Sequence, residues 1–165
     1  MRLDDRDILA QRAQRLAQPA VAGAVGFQEL VVFELAGEAY ALQSRCILAV
    51  FALRELIPLP GAEPGIVGIT TWHGDLLTIV DLREALGVPE AALADRGKIL
   101  VLGSARTAFG LVADAVRGIL SVPVTEVRPL PDGVAQRRDL VRGITRDAVI
   151  VLDEEAVVRG YGTTH

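Results

Sequence analysis

The side chains able to do chemistry in this sequence are few, and their spacing suits none of the common reactions. The chain of 165 residues holds two histidines, His73 and His165, and one cysteine, Cys46. His73, Asp75 and Asp81 could be drawn around a metal ion, but one imidazole is too few for a zinc site. Asp75 suits a turn, where a carboxylate bonds nearby backbone, and Asp81 suits the start of a short helix. Ser44, Ser104 and Ser121 lack the Gly-x-Ser-x-Gly setting of a hydrolase nucleophile, and two histidines leave little choice of base. The chain contains no glycine-rich dinucleotide or phosphate loop, no Cys-x-x-Cys and no His-Glu-x-x-His. Glu154 and Glu155 fit the acidic first turn of a helix. Cys46 has no internal partner for a disulfide, which matches a reducing compartment, and its expected place is that of a small buried apolar residue. The expectation is a chain that is not an enzyme, takes no cofactor and no metal, and acts through a surface.

Such a surface is best sought where polar and aromatic side chains stand on a rigid support. The stretch from residue 59 to 87, LPGAEPGIVGITTWHGDLLTIVDLREALG, provides one. Pro64 and Gly65 rule out a helix at its start. Two β-prone runs, Ile66 to Thr71 and Leu76 to Val80, flank the turn residues His73-Gly74-Asp75, so the unit is a hairpin. Asp81 then caps a short helix, Leu82 to Leu86, that stops at Gly87. The tip carries the chain's one tryptophan, Trp72, beside His73.

The elements that must position this tip are strands. Apolar residues make up 51% of the chain and aromatics 4%, so the core is aliphatic, which favours β-branched strands. Residues 4 to 17 are expected to form a helical arm with a thin apolar stripe of Ile8, Leu9, Ala13 and Leu16, and residues 18 to 26 a linker. Strands are expected over 30–35, 39–42, 47–53, 66–71 and 76–80, then 98–103, 108–114, 116–122, 141–145 and 149–152. Asp153 caps a closing helix. About ten short strands separated by Gly and Pro argue for an all-β architecture, and their two successive sets for two small barrels. The expected division falls near residues 88 to 97, with a first barrel over about 27–90, a second over about 97–152, and the closing helix at 153–160. Val31, Phe33, Val80, Leu100, Leu111 and Val151 are expected to be buried. The net charge of −4 argues against nucleic acid. The first residues are charged with no apolar run behind them, and no stretch reaches the roughly 18 apolar residues of a span, so no membrane insertion and a cytoplasmic location are expected.

The pattern resembles the CheW family, the coupling proteins of bacterial chemotaxis arrays. The likeness is carried by LVVFELAGEAYAL (residues 30 to 42), Pro-Gly-Ile-Val-Gly (64 to 68), Gly74 with LLTIVDLREALG (76 to 87), and FGLVADAVRGIL (109 to 120). It implies two five-stranded SH3-like barrels joined by a hydrophobic seam. It also implies a non-catalytic role, bridging the regulatory domain of a CheA-type histidine kinase to the cytoplasmic tip of a chemoreceptor. The face that the resemblance assigns to the kinase comprises Ile47, Ala49, Gly68, Trp72 and His73. A groove for the receptor tip is placed by the same resemblance at Val112, Val116 and Ile119. The chain departs from the family pattern at three places: Thr71-Trp72-His73-Gly74 replaces Asn-Leu-Arg-Gly, Ala49 replaces a glutamate, and Thr78 replaces a proline. The first two remove an acid and a base together, which reads as a charge pair replaced as a unit. Two other readings compete: a regulatory β module that binds a kinase or coupling protein without a receptor, and a small-ligand sensor using the cleft between barrels.

Overall fold

Each aliphatic run bounded by turn residues becomes a strand in the computed structural model, which describes residues 26–88, 97–103, 108–131 and 138–161. In chain order these are β1 (Phe27–Leu35), β2 (Glu38–Gln43), β3 (Ile47–Ala52), β4 (Ile66–Trp72), β5 (Asp75–Val80), the one-turn helix α1 (Arg83–Leu86), β6 (Lys98–Leu102), β7 (Phe109–Ala113), β8 (Ala115–Pro123), β9 (Val141–Ile144), β10 (Ile150–Leu152) and helix α2 (Glu154–Tyr161). The expected arm at 4–17, most of its linker and the connection at 89–96 lie outside the described residues.

The strands form two five-stranded sheets. Sheet A has the order β8-β1-β2-β10-β9 and sheet B the order β3-β6-β7-β5-β4. This corrects the expected division near residues 88 to 97: the first two strands pair with the last three, and the middle five strands pair among themselves. The reason is that β1 ladders against β8 from Phe27↔Pro123 to Glu34↔Ala115, a pairing across more than half the chain that local pattern does not reveal. β2 and β10 pair in parallel, as do β5 and β7. The ladders leave both sheets open, although single bridges, Ile57↔Ile69 and Arg128↔Ile144, span from one edge region to the other.

Alternation divides the core into three layers. Leu30, Val32, Ala41, Val122, Val149 and Val151 form a cluster within sheet A. Leu53, Leu77, Ile79, Ile99, Val101 and Val112 form one within sheet B. Between them lies a seam built from both sheets, with Val31, Phe33, Leu35, Tyr40 and Leu42 meeting Val80, Leu100, Leu102, Phe109 and Leu111. The central strands are therefore apolar on both faces. All six residues expected to be buried are so. Helix α2 closes one end of the seam with Val157. Asp153 Oδ1 accepts from the N–H groups of Glu155 at 3.0 Å and Ala156 at 3.2 Å, the expected cap. The helix runs one residue past Gly160 because Tyr161 packs against the seam cluster.

Gly68 sits where the link between β3 and β4 crosses the hairpin. A Cβ there would overlap the carbonyl oxygen of Ile57 and stand 2.9 Å from Leu56 Cδ1. Because the first obstacle is backbone engaged in the Ile57–Ile69 bridge, it cannot swing aside. Gly68→Ala is expected to destabilise the fold by about 1–3 kcal/mol, as overpacking does, measured by urea unfolding. An unchanged midpoint would show that the link is free to move.

Candidate functional site

The hairpin tip is a two-residue turn, His73-Gly74, with φ of 51° and 80°. Both lie in the left-handed region that a tight hairpin turn requires, and His tolerates it better than most side chains. Trp72 pairs with Asp75 across the last rung. The Trp72 and His73 rings stand edge to face, centroids 4.6 Å apart. His73 is exposed, whereas Trp72 is half-buried and packs on the inner cluster of sheet B.

Ala49 packs on that same inner cluster, and Gly68 is buried on β4. Ile47 is separated from them by a register irregularity in β3 and packs instead on the margin of the seam. The outward residues of β3 are its others: Leu48 and Val50 are each 44% exposed, and Ala52 is exposed. Sequence reasoning missed these because all of residues 47–52 are apolar and a continuous run carries no alternation to tell its faces apart. Leu76, 70% exposed beside the tip, was also missed. Of the three groove candidates, Val116 and Ile119 are half-buried on β8 and pack on the seam margin. Val112 is instead 2% exposed inside sheet B, which places it out of reach of a partner while that sheet is intact.

The charged groups of the fold act as fasteners. Arg83 on α1 is 1% exposed and pairs with Asp114, at the link from β7 to β8, while Asp81 Oδ1 lies 3.7 Å from its Nε. Asp114 Oδ2 also accepts the N–H of Ala36, at 2.8 Å, in the β1–β2 turn. The carboxylate thus ties sheet B to the strained turn of sheet A, where Ala36 has φ of 53°. Glu154, at the start of α2, is held by Arg45 and Arg142, each at 3.0 Å. Burial, and then the Glu154 charge, push the Cys46 thiol up to about 11, so it stays protonated near neutrality and is a poor nucleophile. Burial together with the hydrogen bond to Glu38 also raises the Tyr40 phenol. Asp81 Oδ1 accepts the N–H of Arg83 at 3.0 Å, but the helix starts at Arg83 and its N-cap is Leu82, one residue after the Asp81 expected there. Among the described residues no three His, Cys, Asp or Glu side chains gather as a metal site would need.

This fold is similar to that of the solved scaffolding protein TtCheW from Thermoanaerobacter tengcongensis. Its fold superposes with a TM-score of 0.68 at 23% identity, covering 76% of this chain and 88% of that one. A family model for the CheW-like domain matches residues 29–161. The chain belongs to the CheW-like domain family. The chemotaxis protein CheW of Bacillus subtilis (strain 168) is 26% identical over 139 residues, 78% of this chain and 89% of the relative. Protein FrzA of Myxococcus xanthus is 31% identical over 106 residues, 64% of this chain and 66% of the relative. The CheW-like match begins inside β1, so everything before residue 29 is outside it. No helix of the described residues is long and apolar enough to cross a membrane.

Proposed function

We propose that this CheW-like chain is a non-catalytic adaptor that couples a CheA-type histidine kinase to chemoreceptors, in chemotaxis or a chemotaxis-like pathway. Family membership supports the class of role, and the observation that carries the surface is where apolar side chains are left exposed. Five of the seven large exposed hydrophobics among the described residues, Leu48, Val50, Ile57, Leu59 and Leu76, fall on β3, its link to β4, and the hairpin tip. Apolar side chains left exposed on sheet B and its β3–β4 link mark a docking face. The kinase regulatory domain meets this edge through Leu48, Val50, His73 and Leu76, with Ile47, Ala49, Gly68 and Trp72 forming the support that sets their positions. The receptor tip lies along the seam margin at Val116 and Ile119. The bridges Ile57–Ile69 and Arg128–Ile144 support reading each sheet as an SH3-like barrel. Ala49 and His73 make this edge less charged than the family pattern, which tunes partner choice rather than fold.

Val50→Asp places a charge in the middle of the edge without touching the core, since the side chain is 44% exposed. Titration against a CheA-type regulatory domain is expected to show binding weakened by more than about tenfold, with an unchanged melting temperature. Trp72→Ala is expected to weaken binding by more than about 2 kcal/mol. Asp147→Ala, in the β9–β10 turn, serves as the control. Wild-type affinity in Val50→Asp would remove this edge from the interface.

A further inference from the structure

The two remaining exposed hydrophobics, Phe27 and Val124, each 52% exposed, stand together at the opposite sheet. They flank a groove of about 730 Å³ lined also by Gln28, Gln43, Arg45 and Arg142. We propose that this groove is the docking site of the chain's own N-terminal segment, the acidic-apolar run Asp4-Asp5-Arg6-Asp7-Ile8-Leu9.

Three observations favour this occupant. The first is connection: the segment joins the body at Gly26, whose carbonyl accepts the N–H of Val124 at 2.8 Å, so the chain enters at the groove itself. The second is reach. Between Leu9 and Gly26 lie 16 residues, a length of chain that can extend to roughly 55 Å, so the run can be brought onto the groove. The third is chemistry. Arg45 is 74% exposed on its side chain and Arg142 33%; both hold the carboxylate of Glu154, and Arg142 also lies 3.9 Å from that of Asp153. They can bind further carboxylates from Asp4, Asp5 and Asp7, while Ile8 and Leu9 cover Phe27 and Val124. Glu29 in the lining keeps the groove from being uniformly positive, which matches a segment whose later turns carry Arg12 and Arg15. The segment lies before the CheW-like match, so the device is separate from the adaptor surface proposed above.

Cross-linking in the full chain tests this. With Cys46→Ser throughout, Leu9→Cys is paired with Val124→Cys, and in a control with Leu76→Cys on the other sheet. Mild oxidation is expected to form an intramolecular disulfide in the first pair at least about tenfold faster than in the control, because docking raises the local concentration. Replacing Asp4, Asp5 and Asp7 with lysine, or Arg45 with alanine, is expected to lower that rate at least about fivefold while leaving circular dichroism unchanged. Equal rates in the two pairs overturn the proposal. So does a disulfide between two chains, which would make a second copy the occupant, and so does a rate insensitive to both charge changes. The aspartate variants leave the described body untouched, so a folding failure of Arg45→Ala would not remove the test.

Discussion

Phe33→Ala is expected to lower the stability of the folded chain by about 3–5 kcal/mol. The ring is fully buried in the seam where the two sheets meet, and it stacks on Tyr40 with centroids 6.2 Å apart. The cluster it belongs to draws on both sheets, with Leu100, Leu111 and Leu152 among its members, so no single flexible element can move in to fill the space. A cavity between two packed layers loses both the transfer free energy of the ring and the contacts around it. Urea unfolding followed by far-ultraviolet circular dichroism measures the change. A loss under about 1.5 kcal/mol would mean that the seam collapses around the smaller side chain.

Asp114→Ala is expected to be nearly as damaging, at about 3 kcal/mol, for an electrostatic reason. Arg83 is 1% exposed, and its Nε and Nη1 find no hydrogen-bond acceptor among the described residues, so Asp114 is its principal counter-charge. Removing the carboxylate leaves the buried guanidinium only the longer ion pair with Asp81 and also takes the acceptor from the Ala36 N–H. The Asp114 side chain is 43% exposed, which puts the figure at the low end of the range for breaking a buried pair, since solvent screens part of the loss. Two comparisons separate this account from simple loss of contacts. Asp114→Asn, which keeps one acceptor oxygen where the carboxylate offers two, should lose less than Asp114→Ala. Adding Arg83→Met to Asp114→Ala should recover stability, because it removes the stranded charge. The double variant should therefore unfold at higher urea than Asp114→Ala alone. The reverse order would show that Arg83 is solvated and not dependent on its partner.

The elements of the fold were legible because their signals are local. Every strand expected from runs such as 30–35 or 98–103 is present, and Gly87 stops α1 with φ of 71°, as a glycine at that place predicts. The likeness to the CheW family was legible in the same residues, and the family match covers 29–161. The candidate site was legible only in part. His73-Gly74 marked the tip, since left-handed turn residues announce themselves. The side of β3 that faces outward did not, because Ile47 to Ala52 offers six apolar residues, so the strand's strict alternation leaves no mark in residue type. Val112 illustrates the same difficulty: Val112 and Val116 look equivalent along the chain, yet one lies within sheet B and the other on the seam margin.

What the sequence by itself determined is the inventory: which runs become strands, which residues turn the chain, and which side chains are too apolar to remain in water. Propensity, turn chemistry and hydrophobicity act within a few residues, so those features are written where they operate. What only the tertiary structure decided is the company each element keeps. β1 and β2 join β8, β9 and β10 rather than the strands that follow them. Arg83 finds its counter-charge 31 residues away, and Glu154 meets Arg45 across 109. Each aliphatic strand here could pair acceptably with several others, and local pattern ranks none of those pairings above the rest. The choice among them is made when both faces of the central strands must be buried at once, a condition that exists only in the assembled chain.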